Sequence, residues 1–227
     1  MSKRAGKTKE ELTRAEKKLV DTNPGHFSMV RNFQVADLIT LLNGACGAMS
    51  IHSNMRYLVN GNTVDLWLAI ILMPLGMMFD FLDGRVARWR NESSLLGQEL
   101  DSLADLVSFG VAPSVLGFVV GMRTPLDAMV FTYFIVCGIA RLARYNATVA
   151  IMPKDANGKI NYFEGTPIPT TLGVVGVIAY FISQNRVGAN LPFGVWPLLG
   201  MEIHPFVGLF ALSGTLMISK TLRIPKP

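Results

Sequence analysis

The chain has 227 residues, half of them hydrophobic, and a formal net charge of +5. With a positive mean hydropathy, its apolar content exceeds that of a soluble domain and makes a bilayer its natural solvent. A soluble helical protein with a large core is disfavoured by LWLAIILMPLGMMF, which is apolar on every side of a helix. The positive charge does not read as a nucleic-acid surface, because no basic patch interleaved with aromatics occurs. Cys46 and Cys137, the two cysteines, form neither a disulfide framework nor a thiol–metal pattern.

In chain order, residues 1–27 are a polar segment carrying Lys3, Arg4, Lys7, Lys9, Arg14, Lys17 and Lys18, with no apolar run. No cleavable signal peptide is expected there. Thr8 to Leu19 reads either as a charged helix on an anionic membrane surface or as a disordered basic tail. Residues 28–227 then form one membrane domain. It opens with Met29, Val30, Phe33 and Ala36 at intervals suited to an amphipathic interfacial helix. Six spans are expected, at roughly 35–55, 65–83, 97–121, 126–148, 168–184 and 204–220, each near the length that crosses about 30 Å of hydrocarbon. The expected fold class is therefore all-α, a polytopic membrane protein.

The first span places Asp37, Thr40 and Asn43 on one polar stripe of an otherwise apolar helix. Such groups at membrane depth face the bundle interior, either for helix-to-helix hydrogen bonds or for function. The most informative segment follows, DFLDGRVARWRNESSLLGQELDSLADLVSFG from Asp80 to Gly110. Asp80 and Asp83 share a helix face, as do Asp101 and Asp105. Two helix ends meeting across the intervening turn would bring four carboxylates together. That cluster repels itself unless divalent cations sit in it, and all-oxygen sites suit magnesium, manganese or calcium. Gly84 and Gly97 leave room for close approach, and Arg88 supplies a planar fork for phosphate. Taken singly, each aspartate reads more simply as a cap or surface ion pair. Taken together, they carry the equipment for displacement at phosphorus.

Further along, Arg141, Arg144 and Asn146 end the fourth span in CGIARLARYNATV. The arginines share a face and either snorkel to the interface or grip an anionic group. The loop IMPKDANGKINYFEGTPIPTT joins spans four and five, while QNRVGANLPFGVWPLLGMEIHP on the opposite side reads as structural. His204 there suits an interfacial cap, and His26 and His52 lack metal-binding spacing. With six spans, the N-terminus, the Arg85–Arg90 turn, the loop with Lys154 and Lys159, and the end with Lys220, Arg223 and Lys226 share one side. The opposite loops hold isolated cations such as Arg56, Arg123 and Arg186. The positive-inside rule makes the basic side cytosolic.

Asp80, Asp83, Gly84, Ala87, Arg88, Gly97, Asp101 and Asp105 fit D-x-x-D-G-x-x-A-R-x8-G-x3-D-x3-D without departure. The chain thereby resembles the membrane CDP-alcohol phosphotransferases. That resemblance implies a CDP-linked lipid or alcohol whose diphosphate rests on two metal ions, Mn²⁺ or Mg²⁺, and an acceptor hydroxyl that displaces CMP. It implies Asp80, Asp83 and Asp101 as ligands, and Asp105 at the second ion or as general base. Gly84, Ala87, Arg88 and Gly97 would surround the CDP-diacylglycerol headgroup. The family's first span often begins P-N-x-x-T; here A-D-L-I-T stands in that place, marking Thr40 as nucleotide-facing more firmly than Asp37.

RLARYN followed by YFEGTPIPTT resembles, more narrowly, the phosphatidylserine synthases of fungal type, over about His26 to the terminal IPKP. This implies L-serine as acceptor, held with the help of Arg141, Arg144 and Asn146. It also implies an endoplasmic-reticulum membrane location and a homodimer. Spacing alone does not choose serine over inositol, glycerol phosphate or choline. A transporter and a non-catalytic metal-binding scaffold are the alternatives from other classes.

Overall fold

The computed structural model describes residues 34–90, 95–149, 162–198, 200–219 and 223–225. The basic segment 1–27, the interfacial approach at Met29–Phe33 and the Lys154–Lys159 loop lie outside them. Seven α-helices carry the described chain: α1 Val35–Asn60, α2 Thr63–Arg90, α3 Leu95–Asp105, α4 Ala112–Val120, α5 Pro125–Val149, α6 Thr171–Ser183 and α7 Gly208–Ile218. A π-helical segment, Leu106–Val111, joins α3 to α4 without a break, so both form one span of 25 residues, Leu96–Val120. Four helices are long and apolar enough to cross a membrane, whereas Ile168–Ser183 and Pro205–Ile218 are shorter apolar helices. The protein is an all-α polytopic membrane protein. Of the six expected spans, the first four reach full length and the last two are short apolar helices that open with 3₁₀ turns at Ile168–Thr170 and Pro205–Val207.

Local chemistry sets the ends of the first hairpin. The backbone N–H of Gln34 donates to Asp37 Oδ2 at 2.9 Å, closing a capping box at the start of α1. At the other end Gly61 takes φ +66°, and its N–H returns to the Tyr57 carbonyl at 2.8 Å. Only a residue without a Cβ adopts that left-handed turn cheaply. Asn62 then accepts from the Val64 N–H to start α2, while Asp65 binds Arg56 at 3.3 Å and Asn60 at 3.0 Å.

α1 is organised for a lipid solvent. Asp37, Thr40, Asn43, Gly47, Ser50 and Asn54 are buried, whereas Leu38, Leu41, Leu42 and Met49 are exposed. Without water outside, the polar stripe turns inward and bonds across helices. Ser50 donates to the Ala69 carbonyl at 2.7 Å. Ser108 donates to the Asn43 carbonyl at 2.9 Å, and α1 approaches so closely that a Cβ on Gly47 would lie 2.6 Å from Ser108 Oγ.

The apolar centre is filled by Phe109, Leu116, Met122, Phe134 and Phe210, with Phe210 edge-on to Phe131 and Phe134 at centroid separations of 4.9 and 5.4 Å. Two short antiparallel pairs were not expected. β1 (Tyr162–Glu164) pairs with β4 (Arg223–Pro225), and β2 (Trp196–Leu198) with β3 (Met201–Ile203). The first ties the loop after α5 to the C-terminal stretch beyond α7. Gly165 at φ +75° and the Thr166 N–H then pack against the last turn of α7, the latter donating to the Leu216 carbonyl at 3.2 Å.

His204 is more than an interfacial cap. Its Nδ1 lies 2.6 Å from Asp127 Oδ2 and its backbone N–H donates to Asp127 Oδ1 at 3.0 Å. Asp127 is fully buried and also accepts from the Thr124 N–H, so one carboxylate caps α5 and anchors the turn that opens α7.

Candidate active site

The alternating helix directions put the start of α1, the end of α2, the start of α3 and the end of α5 at one end of the bundle. Asp80 projects from the last turns of α2, and Asp101 and Asp105 from successive turns of α3. One carboxylate oxygen from each lies within 4.8 Å of the other two. The predicted convergence across the α2–α3 turn is therefore present for these three acids.

Asp83 has a different neighbour. Thr40 Oγ1 on α1 donates to Asp83 Oδ2 at 2.5 Å, both groups being buried. One turn further along α1, Asn43 Nδ2 donates to Asp105 Oδ1 at 3.1 Å. α1 thus holds an acid from α2 with one side chain and an acid from α3 with another. The chain switches from α to π geometry immediately after Asp105. π-segments within helices recur at functional sites, and here the segment turns Ser108 toward the Asn43 carbonyl.

The triad suits a divalent cation. Three carboxylates so close repel one another through a medium of low dielectric. Asp101 Oδ1 is buried with no hydrogen-bond donor, a costly state for an anionic oxygen unless a cation satisfies it. The donors are hard oxygens, the set preferred by magnesium, manganese and calcium.

The remaining candidates are distributed around this centre. Arg141, half-buried near the end of α5, is close enough to Asp105 for their charges to attract, and its Nε is buried without a partner. Gly84, Ala87 and Arg88 lie on the last two turns of α2, Arg88 exposed. The Arg88 guanidinium lies back along its helix, so a Cβ on Gly84 would come within 3.4 Å of its Nη1. Gly97 is half-buried on the first turn of α3. Arg144 reaches toward the other side, with Nη1 3.5 Å from the Ile218 carbonyl at the end of α7. Asn146 is bound to α3: it accepts from Gln98 Nε2 at 3.2 Å and donates to Ser102 Oγ at 3.0 Å. Of the three residues expected at the acceptor, Arg141 faces the acids, Arg144 meets α7 and Asn146 joins α5 to the helix bearing Asp101 and Asp105.

Sequence reasoning did not single out Gln98, Ser102, Gly47, Gly76 or Ser108. For Gly47 a signal existed, since it continues the helical spacing of Asp37, Thr40 and Asn43. Gln98 and Ser102 carried none, because only the packing of α5 makes them partners of Asn146.

The fold and site thus define an all-α membrane bundle in which aspartates of the D-x-x-D-G-x-x-A-R-x8-G-x3-D-x3-D motif converge at one end. Residues 33–211 match the CDP-alcohol phosphatidyltransferase family, and the chain belongs to it. It is 52% identical over 204 residues to the CDP-diacylglycerol–serine O-phosphatidyltransferase of Saccharomyces cerevisiae, covering 89% of this chain and 74% of that one. It is 36% identical over 178 residues to the Bacillus subtilis protein of the same name, covering 70% of this chain and 96% of the relative. The archaetidylserine synthase of Methanothermobacter thermautotrophicus is 34% identical over 151 residues, 65% of this chain and 57% of that one.

Proposed function

We propose that the chain transfers the phosphatidyl group of CDP-diacylglycerol to the hydroxyl of L-serine, giving phosphatidylserine and CMP. The observation that carries this reading is the convergence of Asp80, Asp101 and Asp105 within 4.8 Å in a chain 52% identical to a transferase of that name.

In the proposed reaction, the serine oxygen forms a bond to the phosphorus that bears diacylglycerol. The bond from that phosphorus to the bridging oxygen breaks, and CMP leaves with the electron pair. Asp105 takes the hydroxyl proton; a serine hydroxyl is a weak nucleophile at neutral pH and needs such an acceptor. Asp80, Asp101 and Asp105, joined by Asp83, would hold two divalent cations, Mn²⁺ or Mg²⁺. Bound there, they supply countercharge to the diphosphate and to the departing phosphate oxygen. Arg88 adds charge at the mouth of the site, and Gly84, Ala87 and Gly97 leave space for the headgroup. Thr40 holds Asp83 in place beside the nucleotide. Arg141, beside Asp105, suits the serine carboxylate, with Arg144 and Asn146 shaping the wall around it.

The basic segment 1–27 precedes the membrane domain 28–227 in this reading. The basic loops support a cytosolic orientation of the active-site end, where nucleotide-linked substrates are available. Residence in the endoplasmic reticulum and a homodimeric state are part of the same proposal, supported by the likeness to fungal-type enzymes. The test is CMP release by purified protein in detergent with CDP-diacylglycerol, comparing serine, inositol, glycerol phosphate and choline in the presence of Mn²⁺, Mg²⁺ or chelator. Serine-dependent release abolished by chelator is expected. Preference for another acceptor, or metal-independent turnover, would overturn the assignment.

A further inference from the structure

Asn43 is fully buried, yet half of its amide is unused. Nδ2 donates to Asp105 Oδ1 at 3.1 Å, while Oδ1 is buried with no partner. The amide presents its NH₂ to Asp105, the orientation that suits a carboxylate serving as proton acceptor, and its carbonyl therefore points elsewhere. It points at α2, where a Cβ on Gly76 would lie 2.8 Å from Asn43 Oδ1. The backbone of Asn43 is itself pinned, its carbonyl accepting from Ser108 Oγ on the π-segment that follows Asp105. An amide selected for packing alone would not leave a buried acceptor unpaired beside a glycine whose enlargement would push that amide aside.

From this we infer that Asn43 is a positioning residue for the transfer reaction. Its amide holds Asp105 by Oδ1 so that Oδ2 is directed to the reacting hydroxyl, and Gly76 exists to leave room for that amide. The inference rests on the reading of Asp105 as proton acceptor. It assigns to α1, which carries no residue of the aspartate motif, direct control of a catalytic rotamer. A carboxylate free to rotate about its side-chain bonds spends less time in the productive geometry, and misplacement by about 1 Å is enough to cost orders of magnitude in rate.

The test compares Asn43→Leu, of similar volume but without the donor, with Gly76→Ala, which crowds the amide. For each full-length purified variant, kcat and the KM of both substrates are measured with Mn²⁺. CDP-diacylglycerol binding and the thermal midpoint are measured as well. Asn43→Leu is expected to lose at least tenfold in kcat, with both KM values and lipid binding within twofold of the parent. Its thermal midpoint should fall only modestly, because the donor lost to Asp105 Oδ1 is partly offset by removal of the unpaired carbonyl. Gly76→Ala should lose kcat in the same selective way, and add no further loss in the Asn43→Leu background. A smaller loss in kcat overturns the inference. So does a loss confined to KM or binding, or a misfolded Asn43→Leu alongside a fully active Gly76→Ala. Asp105→Asn is the control: if it keeps full activity, the proton-acceptor reading itself fails, whereas inactive Asp105→Asn with active Asn43→Leu removes only the role of Asn43.

Discussion

Asp101→Asn offers a direct test of the idea that the acidic triad is a strained cation cage. At the 4.8 Å limit that bounds the separations of Asp80, Asp101 and Asp105, two unit charges repel by about 3.5 kcal/mol at an effective dielectric of 20. Neutralising Asp101 removes two of the three repelling pairs. Solvent, counter-ions and protons held by the cluster itself relieve part of that strain, so about 2 kcal/mol of net relief is expected. For a chain of this length that corresponds to an upward shift of about 4–8 °C. The assay is thermal unfolding in detergent, with chelator and with saturating Mn²⁺. In chelator the variant should unfold at a higher temperature than the parent. With Mn²⁺ the order should reverse, because the parent gains binding energy through a ligand the variant lacks. A variant that is less stable than the parent in chelator, and gains as much from Mn²⁺, would refute the cage.

Three other perturbations probe different parts of the molecule. Arg144→Ala should raise the KM for serine several-fold with little change in that for CDP-diacylglycerol; an unchanged serine response would assign Arg144 to the α7 terminus alone. His204→Ala should destabilise the fold by about 2 kcal/mol, the scale of one hydrogen bond to a charged group, since Asp127 keeps its backbone donors. Steady-state KM values should be unaffected, because the pair lies at the bundle end opposite the acids. Gly47→Ala should cost about 1–3 kcal/mol through overpacking, its Cβ falling 2.8 Å from the Ser108 Cα, and is read out by the same unfolding assay.

Much of the site was legible because helix periodicity is a local property. Residues three or four apart share a face whatever the helix packs against, so the facing pairs Asp80/Asp83 and Asp101/Asp105 followed from spacing. The first four spans also followed, since a run of apolar residues long enough to cross hydrocarbon has few other solutions. The last two spans were placed within two residues of the short apolar helices Ile168–Ser183 and Pro205–Ile218, whereas the 3₁₀ turns that prolines at 167, 169 and 205 set at their entrances were not read.

By itself the sequence determined the solvent of this protein, its helical class, the acidic motif and the family to which that motif belongs, since each depends on residue type and short-range spacing. Only the tertiary structure decided how those acids are shared out. Thr40 reaches Asp83 across 43 positions and Asn43 reaches Asp105 across 62. Contacts of that separation depend on the crossing and rotation of whole helices. The same is true of the division of labour among Arg141, Arg144 and Asn146, which share the end of one helix yet meet three different neighbours. Rotation of α5 against α3 and α7 sets which of them faces the carboxylates, and that rotation is fixed by packing across the bundle.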